Sequence, residues 1–223
     1  MTTRVYLVRH GVTVIGGEDR FAGEIDVPLS DAGREQARAL GARLASEPIA
    51  AVYASPLGRA METARLVATP HGREVIPRAE LREISHGRWE QRTRAEVENL
   101  FPEEYSRWES DPFSFAPADG ETGVAVTARA LPALLEIVAS HPEDRVLVVS
   151  HKATIRLLIC ALLGFDPRSY RDRLDQSPAC LNVLDFRDLT RARLTLFNDT
   201  SHYEASATPK PPAGRLSKWW GSA

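Results

Sequence analysis

Cysteine is scarce: Cys160 and Cys180 are the only two in 223 residues. They form no CxxC pair and no metal-ligand spacing, which excludes a disulfide-stapled scaffold and a cysteine zinc site. Cys160 lies in the apolar run LLICALLG, where a small core residue is the ordinary reading. Neither sign of charge is in excess, with 28 Lys and Arg against 30 Asp and Glu and a formal net charge of -2. Bulk attraction to nucleic acid or to an anionic membrane is therefore excluded, and an anionic ligand would need a local cluster of cations. No apolar run reaches about 18 residues, and the start MTTRVYLV has no signal-peptide pattern. A protein of the reducing cytoplasm, with no nucleic-acid or membrane partner, is the expectation. The six histidines include no His-Glu-x-x-His and no helical zinc spacing, so no metal is expected. No internal repeat is present.

What is present is an ordinary globular composition, 43% hydrophobic and 26% charged, long enough for one large α/β domain. Residues 4–8 (RVYLV), 50–54 (AAVYA) and 145–149 (RVLVV) are short apolar runs of the kind that form buried strands. A short strand is expected at 74–76, and a terminal strand pair at 182–186 and 192–197. Helical spacing covers 30–45, where Ser30 is a good N-cap and Ala37, Leu40, Gly41 and Leu44 share a face. It also covers 57–68, with Ala60, Ala64 and Val67 on the buried side, then 121–140, and 152–163, which Gly164 stops. Pro132 should kink the 121–140 helix or divide it in two. Residues 81–120 hold Trp89, Phe101, Tyr105, Trp108, Phe113 and Phe115 among many charges. They read as short helices and loops that cap one end of the sheet. The expectation is a single domain over 1–204 with this cap insertion, then a Pro- and Lys-containing tail at 205–223. Trp219 and Trp220 are unusual in such a tail and would dock on a surface or stay free.

Strands alternating with helices predict an α/β fold, a three-layer α-β-α sandwich around a mainly parallel sheet. Ligands in such sheets sit beyond the carboxyl ends of the strands. Arg9-His10, Ser55 and Ser150-His151 each follow a predicted strand directly, so three strand ends bring reactive groups to one rim. Either histidine alone would be read as a strand-end residue bonded to backbone. With Arg9 beside one, and Arg59 opening the helix after another strand, four cationic or potentially cationic groups share the rim. A phosphoryl group relieves their repulsion and matches the planar forks of arginine. His71 and His141, beside Pro70 and Pro142, are expected in exposed loops.

LVRHG at residues 7–11 resembles the signature of the histidine phosphatase superfamily, which includes cofactor-dependent phosphoglycerate mutases. Thr13 and Phe21-x-Gly23-x-x-Asp26-x-Pro28-Leu29-Ser30 resemble the segment after that signature, and Gly33 and Gln36-Ala37 the first helix. Ser55-Pro56-Leu57-x-Arg59-Ala60-x-Glu62-Thr63-Ala64 resembles the second block. Leu81-x-Glu83-Ile84-x-x-Gly87-x-Trp89-Glu90 resembles the third, and Val148-Val149-Ser150-His151 the fourth. The blocks follow the family's order over roughly residues 4–186. The resemblance implies a phosphoglycerate mutase-like fold and phosphoryl transfer without metal or cofactor. His10 would be the nucleophile, and Arg9, Arg59 and His151 would hold the phosphoryl oxygens. Glu83 would give a proton to the leaving oxygen and then help activate water. Thr13 and the backbone at Ala22 and Gly23 would also touch phosphate or substrate. The chemistry suits these residues: charge spreads over three oxygens in the transition state, so positioning and positive charge supply most of the catalysis.

Some positions depart from the family. Gly16 stands where many relatives carry Asn, Ala22 where mutases tend to have a hydroxyl, and Gln91 where Gly is frequent. Lys152 stands where the residue after the second histidine is often Gly. It would cap the start of its helix, the simpler reading, or reach substrate. The third block reads Glu83-Ile84-Ser85-His86-Gly87-Arg88-Trp89, which resembles the phosphatase branch rather than the mutases. A short cap lets water reach phospho-His10, whereas a mutase must exclude it. Residues 96–108 and 160–165 resemble metal-independent phosphoserine phosphatases, and by that likeness His86 and His202 would line the substrate pocket. The plain alternative for both is an exposed loop histidine. The expected reaction is hydrolysis of a small phosphorylated metabolite: phosphoserine, a phosphoglycerate derivative or a sugar phosphate. The alternatives are a bisphosphoglycerate-dependent mutase and a non-catalytic module that binds a phosphorylated ligand. A homodimer is expected by analogy alone.

Overall fold

The structure, a computed structural model, is described over residues 2–16 and 19–204; the expected tail with Trp219 and Trp220 lies outside the described residues. The predicted apolar runs form β1 (Thr3–Arg9), β2 (Ile49–Ala54), β3 (Val75–Pro77) and β4 (Arg145–Ser150), followed by β5 (Leu181–Asp188) and β6 (Arg191–Asp199). They make one sheet in the order β3-β2-β4-β1-β5-β6. β1 to β4 pair in parallel, β5 runs antiparallel to β1, and β6 antiparallel to β5. Pro77 ends the edge strand β3, where a missing N–H breaks no inner ladder.

Helices α1 (Asp31–Leu44) and α2 (Gly58–Ala68) cover one face of the sheet. Two short helices follow in the cap, α3 (Arg94–Leu100) and α4 (Pro102–Ser110). The long helices α5 (Gly123–Ser140) and α6 (Lys152–Leu163) cover the other face. Strand alternation explains the three layers. Val5, Leu7, Val146 and Val148 point into one core with Leu134, Ile137, Ile155 and Leu158. Tyr6, Val8, Leu147 and Val149 point into the other, with Ala37, Leu40, Ala60 and Ala64. Burying each large apolar side chain contributes about 1.5–3 kcal/mol, so the two cores hold the strand ends in a fixed frame.

Local signals set the helix ends. Ser30 Oγ accepts from Gly33 N at 3.1 Å and starts α1. α2 has no capping side chain of its own, and Asp26 instead accepts from Gly58 N at 3.0 Å. Gly164 ends α6 in the left-handed region at φ 70°. Pro132 does not divide α5, which is one helix from Gly123 to Ser140. Its seven buried residues pack on the sheet, and that burial outweighs one missing hydrogen bond. α5 has the length and composition of a membrane-crossing helix, 18 residues with mean hydropathy 1.4, but here its buried face belongs to the core. The sequence predicts this helix at 121–140, with Arg129 and Glu136 interrupting its apolar run.

Residues 81–120 contain α3, α4 and 3-10 turns around an aromatic cluster. Phe21, Trp89, Val97, Tyr105 and Trp108 are its buried members. Phe21, from the loop after β1, lies 5.3 Å from both Trp89 and Trp108, ring centre to ring centre, and ties this segment to the rim of the sheet. Two expectations need correction. His141 is not an exposed loop residue: its Nε2 lies 2.9 Å from the Tyr53 hydroxyl, and Thr3 donates to its carbonyl. His71 is half-buried in the 3-10 turn Thr69–His71.

Candidate active site

The parallel pairing of β1 and β4 sets Arg9 opposite Ser150. His10 N–H then donates to Ser150 O at 3.0 Å, and the rings of His10 and His151 come to 5.1 Å between centroids. Both side chains are buried. His10 Nδ1 lies 2.8 Å from Gly11 O. A carbonyl only accepts, so Nδ1 carries the hydrogen and Nε2 presents its lone pair. His151 Nε2 lies 2.7 Å from Ser55 Oγ, which already accepts from Leu57 N at 3.3 Å. The Ser55 hydroxyl can donate to Nε2 while accepting from Leu57, and in that arrangement the ring hydrogen of His151 sits on Nδ1. That nitrogen is buried and has no partner among the described residues. Burial, with Arg9 and Arg59 adding to it, holds His10 well below 6.5. Burial, then His10, Arg59 and Arg9, does the same to His151. Both imidazoles are neutral at pH 7.

Arg59, in the first turn of α2, is buried and donates to Ile25 O at 2.5 Å and Gly23 O at 2.7 Å. The Gly23 carbonyl can face Arg59 because that residue adopts φ +51°, and a Cβ there would stand 2.0 Å from Glu90 Oε1. Arg9 Nη1 donates to Gln176 O at 2.6 Å, while its Nε is buried without a partner among the described residues. Gln176 is fixed in turn by reciprocal amide bonds of 2.9 Å with Asn182, which also donates to Leu7 O at 3.0 Å. Burial lowers the pKa of both arginines, and the charge of Glu83 acts on each in the opposite sense.

Glu83 reaches the N-terminus of α6. Its carboxylate accepts from Ala153 N and Thr154 N at 3.2 Å each, and from Thr154 Oγ1 at 3.2 Å, where the helix dipole favours an anion. Arg129 fixes the backbone beneath it by donating to Glu80 O at 2.6 Å, Arg82 O at 3.0 Å and Glu83 O at 3.0 Å. Glu121 clasps Arg129 at 2.9 and 2.8 Å. The fold therefore gathers Arg9, His10, Arg59, Glu83 and His151 at one rim, from the ends of β1 and β4, the start of α2 and the first loop of the 81–120 segment.

The other expected site residues are placed unevenly. His86 sits between this cluster and the cap, its ring 4.8 Å from Phe21, and burial lowers it to about 4. Thr13 forms a single β-bridge with Leu29 and is half-buried. The Ala22 carbonyl is turned to Ile25 N. Lys152 does not cap α6: it is the first helical residue, and its amine makes no hydrogen bond among the described residues. Burial, with Arg156 and Arg9, lowers its amine to about 7. His202 lies against the backbone of Ala179, whose N–H donates to His10 O. The His202 Nδ1 lies 3.4 Å from Arg43, and the charged groups acting on it are Arg43, Asp199 and Glu204.

Four contributors escaped the sequence reading: Ser55 as the partner of His151, Arg129, the Gln176–Asn182 pair, and Glu90. Glu90 accepts from Glu24 N, Ser85 Oγ and His86 N and so knits the cap to the loop after β1. Two left a trace in the sequence. Arg129 is the one basic residue in a largely apolar helix, and Asn182 is a polar residue in an apolar strand. Among the described residues, no three His, Cys, Asp or Glu side chains group as metal ligands.

Residues 5–200 match the model of the histidine phosphatase superfamily (branch 1). Phosphoserine phosphatase 1 of Hydrogenobacter thermophilus is 35% identical over 163 residues, 73% of this chain and 77% of that protein. Glucosyl-3-phosphoglycerate phosphatase of Mycolicibacterium vanbaalenii is 36% identical over 168 residues, 72% of this chain and 74% of that one. The solved structure of Bacillus stearothermophilus YhfR superposes with a TM-score of 0.84 at 32% identity, covering 90% of this chain and 98% of that one. The chain belongs to the histidine phosphatase superfamily and is a phosphatase of that superfamily.

Proposed function

We propose that the protein hydrolyses a small phosphomonoester, such as phosphoserine, a phosphoglycerate derivative or a sugar phosphate, through a phosphohistidine at His10. The observation that carries this reading is the tautomer of His10: its Nδ1 hydrogen is engaged by Gly11 O, so a neutral Nε2 lone pair lies beside two arginines. Nε2 attacks phosphorus in line, the N–P bond forms, and the P–O bond to the leaving alkoxide breaks. Arg9, Arg59 and the Nδ1–H of His151 hold the three equatorial oxygens. The substrate enters as its monoanion and hands its proton to the Glu83 carboxylate, which passes it to the alkoxide, so that the leaving group departs as the alcohol. Water then enters, gives its proton to Glu83 and attacks phosphorus, releasing inorganic phosphate and restoring His10. Positive charge and fixed donors supply the transition-state stabilisation, and none of these steps calls on a metal.

The test is release of phosphate from p-nitrophenyl phosphate in EDTA, with His10→Ala abolishing it. A labelled substrate should leave an acid-labile, base-stable phosphate on the wild-type chain only. Equal turnover by His10→Ala defeats the mechanism. Interconversion of phosphoglycerates stimulated by a bisphosphorylated primer would favour the mutase alternative.

A further inference from the structure

Lys152 and Arg156 stand one turn apart on α6, and their placement is electrostatically unfavourable. Lys152 is the first residue of the helix, where the dipole disfavours a cation; no acidic residue lies within that first turn, and the Glu83 carboxylate at the helix end is bonded to the N–H groups of Ala153 and Thr154. Like charges four residues apart repel on a helix. Arg156 is 6% exposed, and its Nε has no hydrogen-bond partner among the described residues. Its ion pair is with Asp175, 3.5 Å from Nη2, and that carboxylate side chain is 68% exposed. Lys152 has no ion-pair partner among the described residues. Arg156, Arg9 and Arg94 all disfavour its charged form, against Asp175 alone among its principal neighbours.

Arg9 connects this pair to the phosphate cluster. Its charge acts on both Lys152 and Arg156, and it donates to Gln176 O, next in the chain to Asp175. Lys152 also follows His151 directly. We propose that Lys152 and Arg156 form a subsite for a second negative charge on the substrate, a carboxylate or a further phosphate close to the phosphoryl group that His10 attacks. This rests on the phosphatase reading above. An anion held there removes the repulsion along α6, takes the unpaired Nε–H of Arg156, and keeps the Lys152 amine protonated. The pair touches the part of the substrate that does not react, so it sets specificity rather than chemistry.

Two substrate pairs read the subsite. O-phosphoserine and O-phosphoethanolamine differ by one carboxylate, and fructose 1,6-bisphosphate and fructose 6-phosphate by one phosphate. The wild type should favour the more anionic member of at least one pair by about 10- to 100-fold in kcat/KM, the worth of one charge-assisted hydrogen bond. Which pair responds identifies the anion. Lys152→Gly and Arg156→Gln should each collapse that ratio toward one, chiefly through KM, and Lys152→Arg should keep most of it. Should Arg156→Gln fail to fold, the two Lys152 variants decide alone. No preference in the wild type, or an unchanged ratio in Lys152→Gly, overturns the subsite while the phosphatase activity stands. Failure of the wild type to hydrolyse any of the four compounds, or p-nitrophenyl phosphate, defeats the phosphatase reading itself and the subsite with it.

Discussion

The ring of His151 and the hydroxyl of Ser55 meet at 2.7 Å, in a fully buried contact that joins the ends of β4 and β2. This contact sets which nitrogen of His151 faces a phosphate. Ser55→Ala removes it and lets the ring turn or change tautomer. A neutral hydrogen bond contributes about 0.5–1.5 kcal/mol, so kcat/KM should fall roughly 2- to 10-fold. Steady-state kinetics beside a thermal melt check this: a fall in melting temperature with kcat/KM untouched would contradict it.

Arg129 holds three backbone carbonyls at 80–83 and should act on catalysis through Glu83. Arg129→Met leaves those carbonyls and Glu121 unpaired, in a site where that side chain is 17% exposed. Breaking such a pair costs about 3 kcal/mol of stability. A misplaced Glu83 should also slow alkyl phosphates more than p-nitrophenyl phosphate, whose leaving group needs less help from an acid. Equal losses on both substrates would reduce Arg129 to a purely structural residue.

Gly23→Ala forces a side chain into the left-handed region and against Glu90. The backbone cost alone is roughly 1–2 kcal/mol. Because the Gly23 carbonyl braces Arg59, the variant should also bind inorganic phosphate more weakly, which competitive inhibition would reveal as a higher Ki. An unaltered Ki would show that Arg59 holds its position without that carbonyl.

Stability should fall as pH drops from 7 to 5. Burial depresses His10 and His151 well below 6.5, and His86 and His202 to about 4. Between those values and 6.5 the unfolded chain binds more protons than the folded one, so acid favours unfolding. Lys152, lowered to about 7, adds a slope of the same sign above pH 7. Melting temperatures across pH 5 to 9 should therefore rise from the acid side; a flat profile between 5 and 7 would contradict the buried neutral imidazoles.

Much of the fold could be read from local pattern. The runs RVYLV, AAVYA and RVLVV alternate sides within single strands, and Ser30 and Gly164 mark helix ends through bonds to near neighbours. The two histidines could be read because each follows its strand directly. The supporting groups could not, since their partners lie far along the chain: Arg129 reaches back to Glu83, and Asn182 to Leu7. The division that Pro132 suggested did not occur, because a local rule about one hydrogen bond ignores the burial that α5 gains across the sheet. The helix-cap reading of Lys152 failed for a similar reason, as Arg9, Asp175 and Arg94 act on it from outside its helix, beside Arg156 within it.

The aromatic cluster of Phe21, Trp89, Tyr105 and Trp108 is a core separate from the two that grip the sheet. The aromatic segment and the sheet rim that holds His10 thus rest on different foundations. Replacements among the outer residues of that segment should leave the two sheet cores, and with them the placing of His10, unaltered. A scaffold divided in this way can change its diet over evolutionary time without relearning its chemistry.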